Sequence, residues 1–310
     1  FKYFGAQHTG RWSGDSGLNL QNLPRKGFEG VDLRACLIPK PGHVFVSSDL
    51  SQIENRVILW LAGDEAALRV FIENPTADAY EVHARRTLGY TSPEPLADWC
   101  ARTGSGLRQL AKARVLGLGF GCGGPKFVKV AKSMAGLDIT LEEAKRIVRD
   151  FRETNKPIVE LWNYLSRTIL YTSDPKIPSK AALPSGREIR YFDLLETTSD
   201  KDAAEGNTAR TSWSGRVVRG EPRRRWFGGA LAENVTQATA RDILAVKIRE
   251  SEDAGMPVVL HVHDEIVVEV PEADAEEAKT ELNRIMSTAP EWAPGLPMRS
   301  DTKILRRYGK

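Results

Sequence analysis

Two aspartates, Asp49 and Asp264, lie far apart in the chain yet share a local setting, and that setting suits a divalent cation. Asp49 closes "GHVFVSSDL", which reads as a short strand handing over to a helix with Ile53, Val57 and Leu61 at helical spacing. Asp264 sits in "VVLHVHDEIVVEV", where apolar and polar residues alternate on both sides of His263-Asp264-Glu265. That is the pattern of a β-hairpin, although the tip carries neither Asn-Gly nor any Gly. If the two strands are sheet neighbours, both carboxylates meet at one edge. Magnesium binds oxygen ligands and commonly takes one or two carboxylates together with substrate phosphates. Two such ions about 3.5 to 4 Å apart could activate an attacking hydroxyl and stabilise a leaving pyrophosphate. The plainer reading is a polar turn, because Asp favours turns. Apolar sequence running tightly up to both sides, and a second aspartate in matching circumstances, weigh for the cation.

A second constellation lies in "SGLRQLAKARVLGLGFG". Arg108, Lys112, Leu116 and Phe120 are each four apart and fall along one slowly drifting helix face. Two cations are followed by an aliphatic and an aromatic side chain over roughly 18 Å, at 1.5 Å per residue. A nucleoside triphosphate could lie along such a row, phosphates at the cations and sugar and base beyond. An amphipathic helix with a solvated basic end would give the same pattern. Gly117, Gly119, Gly121, Gly123 and Gly124 crowd its far end, each costing up to about 1 kcal/mol relative to alanine in a helix. They suggest close approach of something, or a hinge; Gly-Cys-Gly-Gly is not a P-loop, lacking the Gly-Lys-Ser/Thr ending. Glu54 is ambiguous, since Ser51-x-x-Glu54 is also a capping-box pattern. Arg216, Arg219, Arg223, Arg224 and Arg225 beside Trp213, Trp226 and Phe227 suit phosphates and stacked bases, or a solvated loop.

The elements that must position these groups can be read in outline. "TGRWSGDSGLNLQNLPRKG" is expected to be irregular. Glu65 to Leu170 is mostly helical in pattern, including Thr140 to Phe151 with Thr140-x-x-Glu143 as a capping box. "LPSGREIRYFDLL" reads as turn and strand, and Glu196 to Arg225 as a polar, charged, mobile excursion. Helix returns over Leu231 to Glu252, then come the hairpin, a helix over Ala273 to Met286 and a last strand near Met298 to Leu305. Strands near both ends with a helical block between them predict an α+β fold, one antiparallel sheet with flanking helices interrupted by a mainly helical insertion. The boundaries expected are 1–63, 64–230 and 231–310.

Bulk properties narrow the classes. At 310 residues, 41% apolar and 27% charged, the chain has ordinary globular composition and needs no staples for its core. No apolar run approaches the roughly 18 to 20 residues of a membrane span, and the opening lacks the apolar core of a secretion signal, so a soluble, cytoplasmic protein is expected. Cys36, Cys100 and Cys122 are odd in number and widely spaced, which argues against disulfides or zinc and for small core hydrophobes. A net charge of +3 does not by itself identify a polyanionic partner.

Taken together, "DLSQIENR" from Asp49, "RQLAKARVLGLGFG" and "HDE" resemble motifs A, B and C of family A DNA polymerases, the group of bacterial DNA polymerase I and its phage relatives. "TGRWS…NLQNLP", "LPSGREIRY" and "ENVTQATARDIL" match further family stretches in the family's order, over nearly the whole chain. The resemblance implies a palm (1–63 and 231–310) and fingers (64–230), two Mg2+ ions, primer-template DNA and deoxynucleoside triphosphates as partners, and no membrane. By position, Asp49 and Asp264 would bind the ions with the Leu50 carbonyl, Glu265 supporting from nearby. Arg108 and Lys112 would hold the triphosphate, Lys112 also assisting proton transfer, so that Asp49, Asp264 and Lys112 form the catalytic set. Glu54 would take the steric-gate position, with Leu116 and Phe120 beside the nucleotide. Arg11, Asn19, Gln21, Gln237, His263 and Glu265 would face primer, template or nascent pair.

Departures from the family pattern fall where the sugar would lie. Leu116 replaces an aromatic residue and Phe120 a tyrosine, which puts sugar discrimination and speed in question. Tyr80 stands where the family has histidine, with His83 one turn on. The thumb and exonuclease domains of the family would precede Phe1, so grip on duplex is expected to be weak and salt-dependent without them or a clamp-like factor. A catalytically inactive DNA-binding remnant is the main rival, although it predicts decay at the metal positions. A metal-dependent nuclease would not need the row of cations.

Overall fold

The computed structural model describes residues 1–15, 17, 19–24, 32–170, 178–198 and 211–309. Along the chain these form β1 (Lys2–Ala6), β2 (Arg11–Ser13), β3 (His43–Leu50), α1 (Ile53–Leu61), α2 (Glu65–Glu73), α3 (Ala79–Thr87), α4 (Leu96–Thr103), α5 (Leu107–Leu118), α6 (Gly124–Ala135), α7 (Leu141–Thr154), α8 (Lys156–Leu165), β4 (Ser179–Ala182), β5 (Glu188–Thr198), β6 (Thr211–Arg216), β7 (Arg224–Trp226), α9 (Gly228–Asp253), β8 (Val258–Val262), β9 (Glu265–Pro271), α10 (Ala275–Ser287) and β10 (Ser300–Leu305). Two compact units result, one of Phe1–Ile53 with Gln237–Lys310 and one of Glu54–Thr236.

The first unit is built on an antiparallel sheet of order β10-β3-β9-β8, beside the short pair β1-β2. Strand β3 is central and covered on both faces, which is why Val44 to Ser48 are buried without interruption. One face carries Val44, Val46 and Ser48, opposite Val270, Val268 and Ile266. The Ser48 hydroxyl meets that of Thr302 (2.8 Å), which donates to Asn283 of α10 (3.1 Å). This is therefore the face that α10 covers, with Leu282, Ile285 and Met286 buried. The other face carries Phe45, Ser47 and Asp49 beside Val267 and Glu265, and packs Phe45, Leu260, Val262 and Val267 with Tyr308. The β8–β9 turn is His263-Asp264 alone, one residue tighter than the sequence suggests, because Val262 already pairs with Glu265. His263 takes φ 55°, the left-handed geometry that two-residue hairpins need and that Asn or Gly usually supply. In the opening segment, β2 and a 3-10 turn at Leu20–Asn22 interrupt the irregular backbone expected there, and the other described residues are turn, bend or coil.

From Glu65 to Leu170 the second unit is mostly helical, as expected, and α5 packs on α6 through Gly117. A Cβ at that position would come within 2.8 Å of Val130 Cγ1 and 3.1 Å of the Phe127 ring. Helix-helix contact, not a ligand, thus accounts for this glycine. Gly121 (φ 77°) takes a conformation other residues rarely adopt, just beyond the end of the helix. The capping box of α7 forms as read: Thr140 Oγ1 accepts from Glu143 N–H (3.2 Å) and Glu143 Oε2 from Thr140 N–H (2.8 Å). The helix runs on to Thr154.

Where the sequence suggests an excursion over Glu196 to Arg225, the described residues include the end of β5, all of β6 and the start of β7, with a turn over 217–223. The strands complete a second antiparallel sheet of order β4-β5-β6-β7; residues 199–210 lie outside the description. Trp213 pairs across strands with Trp226, whose buried ring meets Tyr191 edge-on (centroids 5.2 Å apart). The tryptophans that looked like stacking groups are thus partly core. Of the cysteines, Cys122 alone is buried; Cys36 is exposed, contrary to expectation, and Cys100 intermediate.

Candidate active site

In the first unit the antiparallel register does what the carboxylates need. Asp49 is the next-to-last residue of β3, and its Cα partner on β9 is Glu265; Asp264 immediately precedes Glu265 in the turn. The backbone N–H of Leu50, whose side chain is fully buried, donates to the Asp264 carbonyl (3.0 Å) and ties the strand end to the turn. One cavity of about 230 Å³ is lined by Asp49, His263, Asp264 and Glu265, and by Gln21, Asn22, Leu23, Arg34 and Val262. The Glu265 carboxylate is buried, accepting from the Ser47 hydroxyl at Oε1 and from the Tyr308 hydroxyl at Oε2 (2.9 Å). Burial, with Glu265 and Asp49 adjacent, raises the pKa of Tyr308 and keeps its hydroxyl a donor. Asn19 caps the 3-10 turn by accepting from Gln21 N–H, which sets Gln21 in the cavity wall. His263 is exposed at the tip, while Arg11 on β2 and Gln237 on α9 are partly buried and do not line this cavity.

Among the described residues no three His, Cys, Asp or Glu side chains form a ready metal cage. Magnesium does not require one, since two carboxylates can suffice when substrate oxygens complete the shell. The oxygen-only chemistry of Asp49 and Asp264 fits that ion.

In the second unit, Glu54 in the first turn of α1 shares a cavity of about 110 Å³ with Leu116, Phe120, Asn155 and His83. Leu116 is 41% exposed on α5, whereas Ala111, Ala113, Gly117 and Leu118 are buried, so the face proposed from the four-residue spacing is the open one. Arg108 and Lys112 share that row but do not line the cavity. Arg108 is engaged at its own end. Its guanidinium pairs with Asp78 Oδ2 (2.5 Å) and lies 5.0 Å from the centroid of the Tyr80 ring. His83 is buried against Phe151 (centroids 5.7 Å apart) and meets the Thr87 hydroxyl (3.0 Å). Burial holds its pKa well below the usual value, the charges of Arg114 and Arg86 adding to the effect.

Three residues around these cavities escape a reading of motifs. Tyr308 reaches Glu265 from beyond the last strand, and nothing in "RRYGK" marks it. Arg114 is only 2% exposed on α5 and anchors that helix to α7 through Asp150 Oδ2 (2.5 Å). Its neighbours Lys112 and Val115 give no hint that this cation, rather than Lys112, points inward. Arg241 lies 4.3 Å from the Trp12 ring centroid and donates to the Gly10 carbonyl (2.9 Å), fixing the segment that carries Arg11.

Comparison with known proteins bears on the family and the fold. The family model for DNA polymerase family A matches residues 4–310, and the chain belongs to that family. It is similar to the DNA polymerase of Bacillus phage SP02, at 32% identity over 355 aligned positions covering 100% of this chain and 52% of that protein. It is also similar to the thermostable DNA polymerase I of Thermus filiformis, at 28% identity, covering 92% of this chain and 29% of that one. The chain therefore spans about half of the first relative's length and under a third of the second's. A solved structure described as the POL domain of Pol1 from M. smegmatis in complex with DNA primer-template and dNTP shares the fold. The TM-score is 0.65 at 21% identity, over 97% of this chain and 46% of that one. No described helix is long and apolar enough to cross a membrane.

Proposed function

We propose that the chain is the palm-and-fingers part of a template-directed DNA polymerase, adding deoxynucleotides to a primer 3′-hydroxyl in replication or repair in the cytoplasm of a bacterial or phage-infected cell. The observation that carries this is the sharing of one cavity by Asp49 and Asp264, which stand 215 residues apart in the sequence. Residues 1–63 and 231–310 would serve as palm and 64–230 as fingers. Asp49, Asp264 and the Leu50 carbonyl would hold two Mg2+ ions, which when bound supply activation of the attacking hydroxyl and charge stabilisation of the leaving pyrophosphate. Arg108 and Lys112 would take the triphosphate, and Lys112 would pass a proton to the departing group; positioning and charge stabilisation carry most of the rate in such transfers. Glu54, walling a cavity with Leu116 and Phe120, would exclude a ribose 2′-hydroxyl. Arg11, Asn19, Gln21, Gln237 and His263 would face primer and template.

Primer extension on a short template with Mg2+ tests the reading, wild type beside Asp264→Asn. Wild-type extension and loss of at least a hundredfold in the variant are expected; equal extension by both refutes the metal assignment. DNA binding without any extension by wild type would favour the inactive remnant. Glu54→Ala should raise ribonucleotide incorporation, and an unchanged ribose preference would assign Glu54 to capping instead.

A further inference from the structure

Three carboxylates line the cavity of the first unit, one more than the proposed chemistry uses. Asp49 and Glu265 are direct cross-strand partners on the same face of the sheet, an arrangement that like charges oppose. Magnesium keeps near-octahedral geometry, so a third protein carboxylate would occupy a position otherwise open to water or a substrate phosphate. Glu265 is instead tied down. Ser47 and Tyr308 donate to its two oxygens, one each, and because both donors are neutral hydroxyls, what they supply is direction.

Tyr308 cannot follow the carboxylate if it moves. Its ring is 3% exposed among Phe45, Leu260, Val262 and Val267, and its backbone N–H donates to the Leu37 carbonyl (2.9 Å). The Arg34 guanidinium lies 5.7 Å from the ring centroid and is itself fixed on the Leu23 carbonyl (2.8 and 3.1 Å). We propose that Tyr308 is a positioning residue that holds Glu265 back from the cation site of Asp49 and Asp264, keeping coordination positions open for substrate oxygens. This deepens the proposed two-aspartate cation site and rests on it.

The test is direct binding of Mn2+, read by electron paramagnetic resonance without nucleotide or DNA, on the wild type, Tyr308→Phe, Glu265→Gln and the double variant. Freed from one donor, Glu265 becomes a third ligand, so Tyr308→Phe should bind Mn2+ about tenfold to a hundredfold more tightly, the scale of one hydrogen bond to a charged group. Its kcat for primer extension at saturating Mg2+ should fall at least threefold. Affinity and turnover thus move in opposite senses, whereas a merely structural role would weaken both. In the Glu265→Gln background the tyrosine substitution should leave Mn2+ affinity unchanged. Unchanged or weaker binding by Tyr308→Phe, or a gain that persists without the glutamate, overturns the proposal. Should Tyr308→Phe lose its near-ultraviolet circular dichroism, Ser47→Ala, which removes the other donor, is read by the same criteria. Failure of the underlying cation site would show separately, as Mn2+ affinity unaffected by Asp264→Asn.

Discussion

Asp78 uses its two carboxylate oxygens for different purposes, and a single isosteric change separates them. Oδ1 accepts from the Glu81 N–H (2.8 Å) at the start of α3, while Oδ2 pairs with Arg108 (2.5 Å). Asparagine caps helices about as well as aspartate, so Asp78→Asn keeps the cap and removes the charge. Both members of the pair are about 30% exposed, which places it with surface ion pairs worth roughly 0.2 to 1 kcal/mol. If the pair competes with a triphosphate for Arg108, the substitution should lower the KM for deoxynucleotide by about 1.4-fold to fivefold, at 1.4 kcal/mol per decade. The gain should fade as salt screens the exposed charges. Asp78→Ala should give a similar KM and lose about a further 1 kcal/mol of stability with the cap. Single-nucleotide extension at fixed ionic strength, with urea unfolding alongside, measures both quantities. A KM that rises tenfold or more in Asp78→Asn would show that the carboxylate orients Arg108 for substrate, and the competition argument would be wrong.

Two stability predictions follow from the second unit. His83 is neutral in the folded protein well below pH 6.5, whereas the unfolded chain takes up a proton near that value. Its contribution is therefore complete above about pH 7 and is lost as pH falls through 6.5 towards the folded value, by up to about 1.4 kcal/mol per pH unit. Urea unfolding between pH 7.5 and 5 should show this slope and His83→Gln should flatten it; an identical slope in the variant would remove His83 as its cause. Gly117→Ala would place a methyl 2.8 Å from Val130 Cγ1, so the roughly 1 to 3 kcal/mol cost of overpacking should outweigh the roughly 1 kcal/mol gained in helix propensity. A lower denaturation midpoint, restored in part by adding Val130→Ala, is expected. A more stable Gly117→Ala would mean that α5 and α6 separate at little cost.

What the sequence disclosed depended on how local the cause was. The strands around Asp49 and Asp264 were readable because apolar alternation reports a buried face directly, and the α7 start because its capping box is contained in four residues. The β6 and β7 strands were not, because their arginines mask a pattern whose meaning comes from a tryptophan pair brought together across strands. Arg114 and Lys112 look alike in sequence, and only the helix's rotation against α7 decides which is buried. The hydrogen bond from Tyr308 to Glu265 joins residues 43 apart and needs the closed sheet to exist.

The sheet order has a consequence for how the protein comes to be folded. Both hydrogen-bonding partners of β3, namely β9 and β10, are made after residue 264, so during synthesis this strand has nothing to pair with until the hairpin emerges. At about 5 to 20 residues per second, that wait is roughly 10 to 40 s. Through it, Val44, Phe45 and Val46 offer a strand with two open edges to any neighbouring nascent chain. The same pairing that joins the two aspartates therefore makes the first unit a late-closing one, and its aggregation during translation should depend on how soon the hairpin leaves the ribosome.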